Sequence, residues 1–237
     1  MKLTNKINKK TFNKPLDTHL CKTADEYTAL ATLKFCYGEK YKYLRHADAP
    51  DLQDVVNGIG IEVVNSISRQ EARANGEMIK YYTLPTREQK EKCKKKIEEY
   101  MDEFDEHGAL GPDRFLAHEK EEIVSAFVHK LEKVPKYSVN GFKKLGLLIY
   151  HPQCIFPETE ALFASWRADI KKESCAKFDF VYILPNYSRC NRGILYYDFA
   201  SGEVSSVKIA PEDRHTLSVL GRMAAEGEIK DNDPIWD

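Results

Sequence analysis

No stretch of this 237-residue chain approaches the roughly 20 apolar residues that a membrane span needs. The amino-terminal MKLTNKINKKTF is basic, but no apolar run follows it, so it does not read as a secretory signal. Six cysteines are present, yet no two are spaced as CxxC and no histidine completes a zinc pattern with them. They are scattered through helical and strand patterns, where a reduced cysteine packs as a small apolar residue. A reducing, cytoplasmic setting without membrane association is therefore expected. The G-x-S-x-G, Walker-type and G-x-G-x-x-G patterns are all missing. His129 and His151 have no Ser, Cys or Asp at a recognised spacing, so covalent nucleophilic catalysis has no support. Internal repeats and low-complexity linkers are absent as well. The formal net charge is only −1, which argues neither for nor against nucleic acid, because the distribution of charge matters more than its sum.

What is present suits one α/β domain, with 42% apolar residues to build its core. Residues 1–15 read as a flexible basic arm and 16–237 as a single domain with a charged helical insertion around 86–112. Helical patterning runs from Thr23 to Tyr37, Arg69 to Tyr81, Thr86 to Glu106, Phe115 to Val134 (ended by Pro135), Glu158 to Ser174 and Glu212 to Glu226. KLGLLIYH, FDFVYIL, GILYYDF and VSSVKIA read as strands. The continuous apolar run LGLLIY suits a strand covered on both faces. Strands separated by helices predict a mixed central β-sheet flanked by helices.

The stretch APDLQDVVNGIGIEVVNSIS, Ala49 to Ser68, carries most of the functional information. Asn57-Gly58 is a turn signal between two β-rich runs. Strand parity puts Gln53 with Asp51 and sets Asp54 on the opposite side, as a surface acid. On the second strand Glu62 and Val64 share one side, while Ile61, Val63 and Asn65 share the other. Glu62 is thus surrounded by apolar neighbours, and an unpaired carboxylate there would be costly. It needs a ligand or a cationic partner.

Pro50-Asp51, a turn, then Ile61-Glu62-Val63-Val64 resembles the core motif of the PD-(D/E)XK nuclease superfamily. The order of a leading helix, hairpin, crossover helix and apolar strand resembles it too, over roughly Thr23 to Tyr150. The resemblance implies a restriction-endonuclease-like fold and metal-dependent hydrolysis of nucleic-acid phosphodiester bonds, in DNA or RNA. It implies Mg2+ (or Mn2+) held by Asp51, Glu62 and the backbone carbonyl of Val63. Such chemistry needs hard oxygen ligands, because the cation holds the scissile phosphate and acidifies a bound water. Two carboxylates about 4 Å apart repel by roughly 4 kcal/mol at an effective dielectric of 20, and a cation between them removes that cost. Oligomeric state is left open, a homodimer included.

One position departs from the pattern: Val64 stands where the superfamily keeps lysine. Losing one preorganised donor of this kind costs about 10²–10³ in rate. Helical phase supplies a replacement. At about 100° per residue, Ile123, Phe127, Leu131 and Val134 span a sector of about 80°, and Lys130 lies about 20° outside its edge. Lys130 therefore points toward the sheet, either as the relocated lysine or with its stem on apolar surface and its head in water. Lys133 is the second choice. On the leading helix Glu26 shares a face with Leu30, Leu33 and Tyr37. It either joins the active site, as the resemblance implies, or closes a Thr23-x-x-Glu26 capping box. The loops KYSVNGFKKLG and PNYSRCNRG (with Tyr187, Arg189 and Arg192) are phosphate-contact candidates or ordinary polar loops. Two readings follow: a metal-dependent nuclease using Asp51, Glu62, Lys130 and Glu26, or a catalytically degenerate nuclease-fold domain serving as a nucleic-acid-binding or protein-interaction module.

Overall fold

The computed structural model describes residues 12, 16–66, 73–74, 76–77, 80–81, 84–100, 112–138, 140–151, 177–185, 193–231 and 233–236. The chain divides into two compact units, Met1–Ser66 with Ile123–Asp237, and Ile67–Glu122. Among the described residues are seven strands and five helices: α1 (Cys21–Tyr37), β1 (Arg45–His46), β2 (Leu52–Asp54), β3 (Ile59–Asn65), α2 (Arg87–Tyr100), α3 (Pro112–Leu131), α4 (Val134–Ser138), β4 (Lys144–His151), β5 (Phe180–Pro185), β6 (Ile194–Asp198), β7 (Val204–Val207) and α5 (Pro211–Ala225). None of these helices is long and apolar enough to cross a membrane.

The seven strands form one mixed sheet in sequence order. β1, β2 and β3 are antiparallel neighbours, β3, β4 and β5 run parallel, and β6 and β7 return antiparallel. Alternation along the strands feeds two cores. Ile61, Val63, Leu148, Tyr150, Phe180 and Tyr182 pack with Leu30, Leu33, Leu217 and Leu220 of α1 and α5. Leu145, Leu147, Ile149, Val181 and Ile183 pack on the other face with Ile123, Phe127, Leu131, Val134 and Tyr137 of α3 and α4. Helices on both faces explain the unbroken apolar sequence of β4. The chain is thus α/β, with a mixed sheet between helices. In the second unit Cys93 and Ile97 of α2 are buried with Ala74.

Several expectations shift. Pro135 does not end the helical region. After Leu131 a short turn leads into α4, where Pro135 takes an early position that requires no amide donor. Asp54 is a buried acid, 0% exposed. Its carboxylate accepts from the Asn57 amide N–H at 2.9 Å and from Asn57 Nδ2 at 2.7 Å. β2 is too short for parity to decide its last residue, and the bonding of an Asx-type turn wins. The Glu158–Ser174 helix, the PNYSRCNRG loop, Cys154, Cys175, Cys190 and the basic arm apart from Phe12 lie outside the described residues, as does much of the Arg69–Tyr81 helix.

Candidate functional site

The site forms where β2 begins and β3 outruns it. β2 covers β3 only from Ile59 to Ile61. Asp51, just before β2, takes over the pairing: its Oδ2 accepts the Val63 N–H at 2.8 Å. In a strand the N–H and C=O of one residue face the same edge, so the Val63 carbonyl is directed to the side where Asp51 lies. Gly60 makes this approach possible, because a Cβ there would stand 2.7 Å from Pro50 Cγ. Ala49 has φ 55°, a costly conformation for a residue with a Cβ. Its carbonyl accepts from Asn140 Nδ2 at 2.6 Å.

Asp51 and Glu62 are 4% and 5% exposed, and Lys130 is 6% exposed. Glu62 points to the α3–α4 face. There Lys130 Nζ donates to Glu62 Oε1 across 68 residues of sequence, and the Tyr137 hydroxyl donates to the same carboxylate. Burial first, and then the Glu62 charge, hold the Tyr137 hydroxyl well above the ordinary phenol range.

Glu26 reaches the site from α1. Its Oε2 meets His46 Nε2 at 2.7 Å and its Oε1 meets Lys22 Nζ at 2.7 Å. Lys22 Nζ also lies 3.1 Å from Asp51 Oδ1. The capping-box reading fails: α1 starts at Cys21, two residues before Thr23, with no side-chain cap at Leu20. Glu26 is engaged with Lys22 and His46 instead. Burial alone would raise the Glu26 carboxyl, but the hydrogen bonds from His46 and Lys22 outweigh it and pull it below the ordinary value. Burial likewise depresses Lys22, and its bonds to Glu26 and Asp51 more than reverse that. The remaining candidates sit apart from this cluster. Gln53 Nε2 donates to the Asp48 and Pro50 carbonyls at 3.0 and 3.1 Å and so braces the loop. His129 is exposed, as are Lys143 and Lys144 of the loop before β4.

The sequence patterns singled out Asp51, Glu62, Lys130 and Glu26, and the fold brings all four to one end of the β2–β3 hairpin. Lys22, His46 and Tyr137 escaped that reading. Lys22 was visible in principle, since it stands four residues before Glu26 on the helix, where such pairs meet.

Asp51 is pushed up to about 6 by burial and then by the charge of Glu62, despite the Val63 N–H. A carboxyl raised above its ordinary value binds its proton more tightly folded than unfolded. Its contribution to stability is therefore full below about pH 4 and is lost as pH rises through about 6. Asp51→Asn should accordingly stabilise the metal-free protein by on the order of 1–3 kcal/mol at pH 8, and by far less at pH 4. Urea unfolding at both pH values, in chelator, checks this; an equal effect at both would contradict it.

The donor set suits a hard cation: two desolvated carboxylates that repel each other, with a carbonyl directed to the same edge. Among the described residues no three His, Cys, Asp or Glu side chains are arranged to hold a metal. Magnesium is commonly bound by one or two carboxylates, with waters and substrate oxygens completing its shell. No protein-family model, curated protein or solved structure matches this chain.

Proposed function

We propose that the protein is a metal-dependent nuclease with a PD-(D/E)XK, restriction-endonuclease-like core. The observation that carries this reading is the buried Lys130–Glu62 pair beside Asp51. It puts a lysine from a helix next to the second motif acid, and so meets the need that Val64 leaves open. Asp51, Glu62 and the Val63 carbonyl would hold Mg2+ or Mn2+, which supplies a Lewis acid for the phosphate and a more acidic water. Lys130 holds an ammonium beside Glu62, where it offsets charge growing on the phosphate. Tyr137 and Lys130 together fix the Glu62 carboxylate. His46 fixes Glu26, which stands ready to orient a water or support the metal. The scissile bond would lie in DNA or RNA.

A second reading has its own support. Val64 occupies the motif lysine position, and lysines neutralise the acids without metal. A degenerate nuclease fold used as a binding or assembly module would look the same at rest. Incubation with plasmid DNA and with structured RNA, in Mg2+ or Mn2+, separates the two. Cleavage that disappears in chelator and falls at least about 10²-fold in Glu62→Ala supports the nuclease. Cleavage unchanged in that variant sinks the assignment.

A further inference from the structure

Lys22 has no assigned part in that reading, yet it occupies the cluster's central position. Its ammonium bridges two acids from different elements, 2.7 Å from Glu26 Oε1 and 3.1 Å from Asp51 Oδ1. The carboxylates it joins are buried, with 7% and 6% side-chain exposure, whereas the lysine side chain is 70% exposed. Lys130 is the opposite case, with its side chain only 8% exposed. One lysine is packed into the fold. The other reaches in from water on a solvated stem and can withdraw with little loss of packing.

We propose that Lys22 is a displaceable counter-ion: its ammonium holds the Glu26–Asp51 end of the site while no divalent cation is bound, and it swings out when one binds. This rests on the metal-dependent reading above. Three acids, Glu26, Asp51 and Glu62, converge at this end of the hairpin, and lysine ammoniums are the cations that meet them. A single ammonium between Glu26 and Asp51 offsets part of that repulsion. A doubly charged ion sharing Asp51 would meet the like charge of the Lys22 ammonium, which lies 3.1 Å from Asp51 Oδ1, so the two cations compete for that carboxylate. The position of Lys22 in the first turn of α1, one helical turn before Glu26, gives it a short swing between bound and free. Metal affinity is then set by the fraction of time the ammonium is absent, since a site competent for only part of the time binds correspondingly more weakly.

The test is Mn2+ binding to the full chain, followed by calorimetry and by the electron spin resonance of free Mn2+, with wild type, Lys22→Met, Lys22→Arg and Glu62→Ala. Circular dichroism confirms that each variant is folded, and Asp51→Asn replaces Glu62→Ala if the latter is not. The expected result is binding about three- to tenfold tighter in Lys22→Met than in wild type, with Lys22→Arg close to wild type. Binding in Lys22→Met alone, with none in wild type, would support the proposal equally. Lys22→Met no tighter than wild type, or Lys22→Arg tightened to the same degree, overturns the counter-ion role. If Glu62→Ala has lost binding in that case, the metal site itself stands. No saturable Mn2+ binding in either wild type or Lys22→Met overturns both.

Discussion

Lys130→Met is expected to cost about 3–5 kcal/mol of folding stability. Among the described residues, the variant leaves Glu62, 5% exposed, with the Tyr137 hydroxyl as its remaining partner. A buried pair is worth less than the damage done by breaking it, because two desolvation costs stand against one attraction. The double variant Lys130→Met/Glu62→Leu should therefore recover most of the loss. Chemical unfolding of the wild type, both single variants and the double variant measures the coupling directly. A Lys130→Met variant as stable as wild type would mean that the pair is not held in the way described. On the proposed nuclease reading, the double variant regains stability but not cleavage, because both the proposed metal ligand and the ammonium are gone.

Gly221→Val should lower stability by about 3 kcal/mol, or a melting temperature by roughly 10 °C for a chain of this size. A Cβ at this position would stand 2.0 Å from Thr28 Oγ1 and 2.6 Å from the Ala24 carbonyl oxygen. Both belong to α1, so the glycine is what lets α5 lie against the helix that carries Lys22 and Glu26. Thr28 is not free to turn away, since its hydroxyl donates to the Ala24 carbonyl at 2.7 Å. Thr28→Ala relieves the first clash but not the second, which involves backbone. Combining it with Gly221→Val should restore only part of the loss in thermal unfolding. A fully tolerated valine would show that the two helices pack less closely than this.

Much of this arrangement is legible in the sequence for physical reasons. The continuous apolar run LGLLIY, residues 145–150, forms the body of β4 and is buried from both faces. Strand parity separates Glu62 and Val64 from Ile61 and Val63, and the structure sends them to different cores. Helical phase aims Lys130 at the sheet. Parity failed at Asp54, where a three-residue strand gives way to the hydrogen bonding of its turn. The capping box at Thr23 and Glu26 failed because a local pattern cannot report a tertiary competitor. The competitor is the His46 ring, which β1 brings back from 20 residues along the chain to stack on Tyr27 at 4.3 Å between centroids and to meet Glu26. Tyr137 escaped for the same reason: nothing near it in sequence announces a carboxylate partner on β3.

Asp51, Glu62 and the Val63 carbonyl are proposed to hold one divalent cation. Crystals soaked in Mn2+ and measured at a wavelength where manganese scatters anomalously test it most directly. One strong anomalous peak is expected within coordinating distance of the Asp51 and Glu62 carboxylates and the Val63 carbonyl oxygen, with the Lys22 ammonium moved out from between Glu26 and Asp51. Soaked crystals in which those carboxylates keep their lysine partners, with no anomalous peak beside them, would contradict it.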